Sequence, residues 1–114
     1  MKVINTSNQK AVANNVKVAN SIISRFIGLL NRSHLEENEG LLIIPCNSIH
    51  SFFMRFNFDA AFLDKSNKVR FLIKNMSSCK VSPVVFTAHS VLELPSGTIE
   101  RAQINIDDTL EFCE

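Results

Sequence analysis

The sequence predicts a mainly β fold with one short helix, arranged as an antiparallel jelly-roll-like sandwich or a partly closed barrel. Two observations favour this class. Roughly six to eight short apolar stretches alternate with turn-forming residues, whereas only residues 21–31 carry apolar side chains at helical spacing. The 114 residues contain no repeat or linker and can bury one hydrophobic core. Residues 1–114 are therefore predicted to form a single domain.

The chain is predicted to begin with two extended segments. Met1–Thr6 has the composition of a strand, and Ser7–Gln9 has that of a turn. Ala11–Val18 is predicted to be a second extended segment, with a helix as the competing interpretation.

The predicted helix runs from Ser21 to Asn31. The Ser21 hydroxyl can accept a hydrogen bond from a free amide of the first turn. An apolar stripe at helical spacing follows, formed by Ile22, Ile23, Phe26, Ile27, Leu29 and Leu30. Gly28 lowers helix propensity by about 1 kcal/mol. It therefore indicates either the close approach of another backbone or simple tolerance of a weak helix former.

The centre of the chain predicts a buried strand and then a hairpin. Leu41–Ile44 is a continuous apolar run, and Pro45 ends it because proline cannot donate a ladder hydrogen bond. From Phe53 to Leu63 apolar and polar residues alternate, as in a half-buried strand. The turn-forming residues Asp64–Asn67 then lead into a strand at Val69–Ile73.

Three further strands are predicted towards the C-terminus. They lie at Val84–Ala88, at Ser90–Leu94 and at Thr109–Phe112, and a turn at Pro95–Gly97 follows the second of them.

Composition excludes several classes of function. The 12 basic and 11 acidic residues are scattered without a dense basic cluster, which argues against a nucleic-acid partner. The three cysteines are widely spaced, so we expect no disulfide framework and a reducing, cytoplasmic location. No stretch reaches the roughly 20 apolar residues of a membrane span, and the N-terminus lacks the apolar core of a signal peptide.

Cys46, Ser48 and His50 lie on one parity just before the alternating segment. An imidazole can accept the proton of a thiol, so one hypothesis is a cysteine-dependent enzyme with Cys46 as nucleophile, His50 as base and Asp59 as orienting group. An extended segment would separate Cys46 from His50 by about 13 Å, so their contact requires a turn. The alternative is a buried cysteine and a hydrogen-bonded histidine.

A metal site is the other chemistry that cysteine and histidine allow. Cys46 and His50 could be joined by Cys79, His89 or Cys113, but no pair has the close spacing typical of zinc ligands. We therefore predict no metal and no cofactor.

Arg55 and Asp59 share the polar parity of the alternating segment, with Asn57 between them. A guanidinium can hold a carboxylate or phosphate bidentately, and Asp59 could orient it. The sequence therefore favours a polar groove around Arg55 and Asp59 that binds a small anion, with His50 and Ser48 nearby. An ordinary solvated sheet face is the alternative.

Several ordered motifs resemble the small prokaryotic family known as domain of unknown function 192. From about Val18 they are Ala19, Arg25, Gly28 and Leu29, then Gly40-Leu41-Leu42, PCNSIHSFFMRFNFDAAFLD and VLELPSG. The resemblance implies a compact, mostly β domain with a jelly-roll-like or barrel-like sheet arrangement and a short helix. It implies no established activity.

The resemblance also carries individual positions. Residues that match the motifs are Arg25, Gly28, Cys46, Ser48, His50, Met54, Arg55, Asp59, Glu93 and Gly97. The chain departs at Asn57, where the family usually has proline, and at Asp107, where a glycine commonly precedes an acid.

Three functional hypotheses follow. The leading one is a binding domain for an unidentified small molecule or protein, with His50, Arg55, Asp59 and Ser48 as ligand-binding residues. The second is the cysteine-dependent enzyme. The third is a structural module that docks a partner through a sheet edge or helix, which an exposed apolar patch would favour.

Overall fold

The computed structural model describes residues 1–114, which form eight strands and two short helices. In chain order these are β1 (Lys2–Asn5), β2 (Lys10–Ala13), β3 (Asn15–Ala19), α1 (Ile22–Ile27), β4 (Glu39–Ile43), β5 (Phe58–Leu63), β6 (Val69–Met76), β7 (Ser90–Pro95), α2 (Thr98–Arg101) and β8 (Leu110–Cys113). Neither helix is long and apolar enough to cross a bilayer.

The strands form two sheets in a sandwich-like arrangement, and neither sheet closes into a barrel. The three-stranded sheet has the order β2-β1-β8, and the five-stranded sheet has the order β3-β4-β7-β5-β6. All pairs are antiparallel except β3 and β4. Parallel neighbours need a crossover connection, and here residues 20–38 provide it with α1 at their start. The mainly β prediction is confirmed.

Each face of the five-stranded sheet covers a separate hydrophobic core. The first core contains Val3, Val12, Ala61, Leu63, Leu92, Leu94, Ile99 and Leu110, which join this sheet to the three-stranded sheet and α2. The second core contains Leu29, Ile49, Met54, Phe58, Ala60, Phe62, Met76 and Val91. It is closed by the residues after α1 and by the segment before β5. The five-stranded sheet is therefore covered on both sides.

The helix prediction is correct at its start and too long at its end. Ser21 caps α1 as expected, because its hydroxyl accepts a hydrogen bond from Ser24 N at 3.0 Å. Gly28 ends the helix in a left-handed conformation with φ 50°, which glycine adopts without steric cost. No other backbone approaches closely, so that explanation of Gly28 is wrong.

Three strand predictions need correction. The segment 11–18 contains parts of two strands, because the extended structure is interrupted at Asn14 between β2 and β3. Residues 53–57 precede β5 as turns rather than strand, and Phe53 has a left-handed φ of 65° that a strand cannot accommodate. Residues 84–88 are also irregular, and α2 was not predicted.

Asp59, the second residue of β5, connects three elements. Its Oδ1 accepts a hydrogen bond from Asn75 N at 2.8 Å, at the end of β6. Its Oδ2 accepts from Gly97 N at 3.1 Å and from Ile99 N at 2.9 Å, at the start of α2. The side chain of Asp59 is 1% exposed. It thereby caps α2, whose own N-cap residue has no side chain for this purpose.

We expect Asp59→Ala to lower the free energy of unfolding by about 3 kcal/mol or more, because three backbone amides, of which that of Ile99 is buried, lose their acceptor. Urea unfolding at neutral pH measures this change. Glu100→Ala is the matched control in the same region, since Glu100 makes only a surface ion pair with Lys74, and it should cost less than about 1 kcal/mol. Equal effects of the two substitutions would contradict the structural role of Asp59.

Candidate functional site

A pocket of about 360 Å³ lies between α1 and the five-stranded sheet. Its walls come from α1 and the residues after it, from the loop after β4, and from β7. The apolar lining includes Ile22, Phe26, Leu30, Ile43, Ile49 and Met54. The polar lining consists of Arg25, Cys46, Ser48, His50 and Glu93.

Glu93 provides a buried carboxyl group to this pocket. It lies in β7 between Leu41 of β4 and Ala60 of β5, in the middle of the sheet. The residue is 4% exposed, and its carboxyl makes no hydrogen bond with the protein. Burial raises the pKa of Glu93 to about 8. The group is therefore mainly protonated at neutral pH and can donate an O–H hydrogen bond.

Gly28 leaves room for this carboxyl group. A Cβ atom at position 28 would lie 3.9 Å from Glu93 Oε1 and 4.0 Å from Ile43 Cδ1. The turn that ends α1 therefore passes over Glu93 without a side chain between them.

Arg25 places a cation in the same pocket. It projects from the last turn of α1, and its Nη1 donates a hydrogen bond to the carbonyl oxygen of Pro45 at 3.1 Å. Its Nε is buried and has no hydrogen-bond partner. A buried donor without a partner is costly. The guanidinium is therefore held in place but incompletely satisfied by the protein.

Cys46 also lines the pocket, and its thiol is not activated. Its Sγ donates to the carbonyl oxygen of Ser48 at 3.2 Å. Burial raises the pKa of the Cys46 thiol and outweighs the hydrogen bond to Ser48 and the positive charge of Arg25, which act to lower it. At neutral pH the group is therefore a protonated thiol rather than the nucleophilic thiolate.

The structure brings Cys46, Ser48 and His50 to one pocket, as their spacing suggested, but does not connect them as a triad. His50 Nδ1 accepts a hydrogen bond from Phe52 N at 3.2 Å, and its ring stacks on that of Phe52. Ser48 Oγ lies 3.3 Å from Ser82 Oγ. No hydrogen bond joins Cys46 to His50. No group of three or more His, Cys, Asp or Glu residues has a metal-binding arrangement.

Arg55 and Asp59 do not form the expected groove. The carboxylate of Asp59 is buried and fully occupied by the three backbone amides described above. Arg55 lies in the irregular segment before β5, is exposed, and makes no ion pair. The alternation placed both on one solvated face, but β5 is buried on both faces because each side of its sheet is covered.

The residue pattern alone did not identify Arg25 and Glu93 as site residues, although both matched the family motifs. Glu93 is the only charged residue within the apolar run Val91–Leu94. A charge inside a strand buried on both faces is a signal of a special environment. That signal was available in the sequence. The proximity of Glu93 to Arg25 was not.

The two sheets and the pocket between α1 and the five-stranded sheet define a small, mainly β protein with a largely apolar cleft beside its first helix. The sequence matches the domain of unknown function 192 family, described as "Uncharacterized ACR", over residues 3–112. The chain belongs to this family.

Two crystal structures share the fold. A protein of unknown function from Novosphingobium aromaticivorans DSM 12444 has a TM-score of 0.84 and 20% identity, covering 97% of this chain and 82% of its own. A protein called a "putative transcription regulator" from Sinorhizobium meliloti 1021 has a TM-score of 0.83 and 21% identity, covering 96% of this chain and 89% of its own. At these identities the likeness concerns the fold alone. No curated protein matches the sequence.

We expect Glu93 to make the protein less stable as pH rises from about 4.5 to about 8. In this window the unfolded chain releases the Glu93 proton while the folded protein keeps it, so ionisation favours unfolding. The loss is up to about 1.4 kcal/mol per pH unit. Urea unfolding across this range should show the slope in the wild type.

Glu93→Gln provides the control, because glutamine has nearly the same shape and does not titrate. The free energy of unfolding is plotted against pH for both proteins. The difference between the two slopes gives the contribution of the Glu93 carboxyl, separate from that of the other ionisable groups. Identical pH profiles for the two proteins would show that Glu93 titrates normally.

We expect Cys79 to react with iodoacetamide faster than Cys46 at pH 7.5. Cys79 is exposed, whereas Cys46 is half-buried and its pKa is raised by burial. Mass spectrometry of peptides after timed alkylation measures both rates in the same sample. Faster reaction of Cys46 would instead support the cysteine-dependent enzyme.

Proposed function

We propose that the protein binds small organic anions, with an apolar body and a carboxylate or similar acceptor group, in the pocket lined by Arg25 and Glu93. The binding function and the anionic ligand class are those predicted from the sequence. The proposed location is different: Arg25 replaces Arg55 as the cation, and Glu93 supplies a hydrogen-bond donor, whereas Asp59 was expected to orient the arginine.

The observation that carries this proposal is the unpartnered carboxyl of Glu93. A polar group removed from water is costly unless it forms a hydrogen bond. Glu93 is 4% exposed and has no partner within the protein, yet it faces a cavity. A molecule in that cavity can supply the missing partner. Because burial keeps Glu93 protonated, that partner must be a hydrogen-bond acceptor.

The positive charge of Arg25 favours an anionic ligand. With Glu93 neutral, the guanidinium is the ionised group in the pocket lining, so the site carries a positive charge near neutral pH. Its Nη1 is already bonded to Pro45, which fixes the orientation of the group. Charge-assisted hydrogen bonds from guanidinium to carboxylate are about twice as strong as neutral ones. An acceptor that meets both Arg25 and Glu93 is therefore best supplied by an anion.

The rest of the lining favours an apolar ligand body. Nine of the 15 lining residues are hydrophobic, so most of the ligand surface would meet aliphatic and aromatic side chains. The volume of about 360 Å³ lies in the range of small-molecule sites, about 300–1,000 Å³. Ser48 and His50 offer further polar contacts within the same lining.

The protonated thiol of Cys46 gives the cysteine-dependent enzyme no support. Within the proposed site Cys46 contributes to the pocket wall together with Glu93 and Arg25. We therefore give it no nucleophilic role.

We expect short-chain carboxylates such as butyrate and hexanoate to bind, and their uncharged amides to bind more weakly. Isothermal titration calorimetry at pH 6.5 measures both. Arg25→Met should reduce carboxylate affinity by about tenfold or more, because a charge-assisted hydrogen bond is lost. Arg55→Met is the matched control, since Arg55 lies outside the pocket lining, and it should bind as the wild type does.

The role of Glu93 is tested by pH. In the wild type, carboxylate affinity should fall as pH rises through about 8, because ionised Glu93 repels the ligand. Glu93→Gln keeps a hydrogen-bond donor at every pH and should show no such fall. No binding of any carboxylate by a folded wild-type protein would overturn the proposed function.

A further inference from the structure

Large apolar side chains are exposed together around the mouth of the pocket. Ten are exposed in the whole chain, and two of them, Val18 and Ile106, belong to β3 and to the segment before β8. Six others form what we call the apolar rim: Ile22, Ile23, Phe26, Phe52, Phe53 and Val81. The remaining two, Val84 and Phe86, follow Val81 in the same segment.

The pocket shows that the members of the apolar rim are neighbours. Ile22 and Phe26 line the pocket from the side of α1. His50 and Met54 line it from the other side, and they flank Phe52 and Phe53 in the chain. Val81 forms a β-bridge with His50. Three segments that border the pocket therefore carry exposed apolar side chains.

The exposure within the apolar rim is unusually high. Ile22 is 79% exposed, Ile23 71%, Phe26 77% and Phe53 86%. Contiguous apolar surface of this kind marks an interaction site more often than isolated exposed residues do. Phe53 also has a left-handed φ of 65°, a conformation that is costly for a bulky residue. The ring of Phe53 is thus exposed at a position whose backbone conformation is itself unfavourable.

The same segments carry cations and no acids. Residues 20–31 contain Arg25, residues 45–58 contain Arg55, and residues 77–89 contain Lys80. All 11 acidic residues of the chain lie outside these three segments. Arg55 and Lys80 are exposed and form no ion pair. A molecule with a net charge of only +1 thus presents one apolar surface whose bordering segments carry positive charge alone.

We propose that the apolar rim docks on an anionic lipid surface. A bilayer with anionic headgroups supplies negative charge for Arg55 and Lys80 and, beneath it, an apolar layer for Ile23, Phe26 and Phe53. A second copy of this chain fits less well, because a two-fold contact would bring the same cations together. The proposal is independent of the pocket ligand and concerns peripheral binding.

Co-sedimentation with vesicles tests the proposal. The full-length protein is mixed with vesicles of phosphatidylcholine alone or of phosphatidylcholine with about one-third phosphatidylglycerol, and the bound fraction is measured. We expect clear preference for the anionic vesicles. Binding should weaken when the salt concentration is raised from about 50 mM to about 500 mM, because the shorter Debye length screens the attraction between the cations and the headgroups.

Matched variants locate the docking surface. Phe53→Ser should reduce binding by about tenfold, from the loss of one inserted apolar side chain, and Ile23→Ser should have a similar effect. Ile106→Ser is the control, since Ile106 is 50% exposed but lies outside the apolar rim. Arg55→Gln and Lys80→Gln should each reduce binding to anionic vesicles by about fivefold, whereas Lys65→Gln in the β5–β6 turn should not.

Because all these residues are exposed, the variants should unfold at the wild-type temperature, which circular dichroism verifies. Absence of binding to anionic vesicles would overturn the proposal, as would equal binding to neutral ones. Binding that Phe53→Ser and Ile23→Ser leave unchanged would place the contact elsewhere and also overturn it. A concentration-dependent dimer that Ile23→Ser abolishes would assign the apolar rim to a second copy instead.

Discussion

A carboxylate enclosed in the centre of the protein determines how the rest of the molecule is arranged. Asp59 lies on the strand that pairs with both β6 and β7, and it accepts amide hydrogens from the end of β6 and from the start of α2. One of these amides lies near the end of β6, and the other two lie at the start of α2, where helix amides have no partner within the helix. Burying one charge with three donors therefore fixes the turn after β7 and the position of α2, which completes the first core. The second core and the pocket are built on the other face of the same sheet.

The two buried carboxyl groups of the five-stranded sheet have opposite chemistry. Asp59 accepts hydrogen bonds from three backbone amides. Glu93 is on the neighbouring strand, one residue out of register with it, and has no donor at all. The first is satisfied by hydrogen bonds within the protein, and the second has no hydrogen-bond partner within it and faces the pocket. This contrast separates a structural acid from a candidate binding group more clearly than exposure does, since both side chains are almost inaccessible to water.

Local chemistry predicted the elements whose causes are local. The Ser21 cap and the turn at Asp64–Asn67 depend on neighbouring residues, and both are present. The alternation from Phe53 to Leu63 was misleading, because a strand covered on both sides can bury a polar residue when distant amides point at it. Arg25 and Glu93 are 68 residues apart, so no local pattern could place them in one pocket. Their meeting depends on the crossover that returns β4 beside β3.

The two cores support different parts of the molecule. The first core joins both sheets and contains none of the polar residues of the pocket. The α1 segment and the loops on the opposite face can therefore change their side chains while the two-sheet framework stays intact. A framework shared at 20–21% identity with the two crystal structures is compatible with such freedom. For protein engineering, this means that side chains of α1 and the pocket loops could be varied to select new ligand specificities. The two-sheet framework would not have to be redesigned.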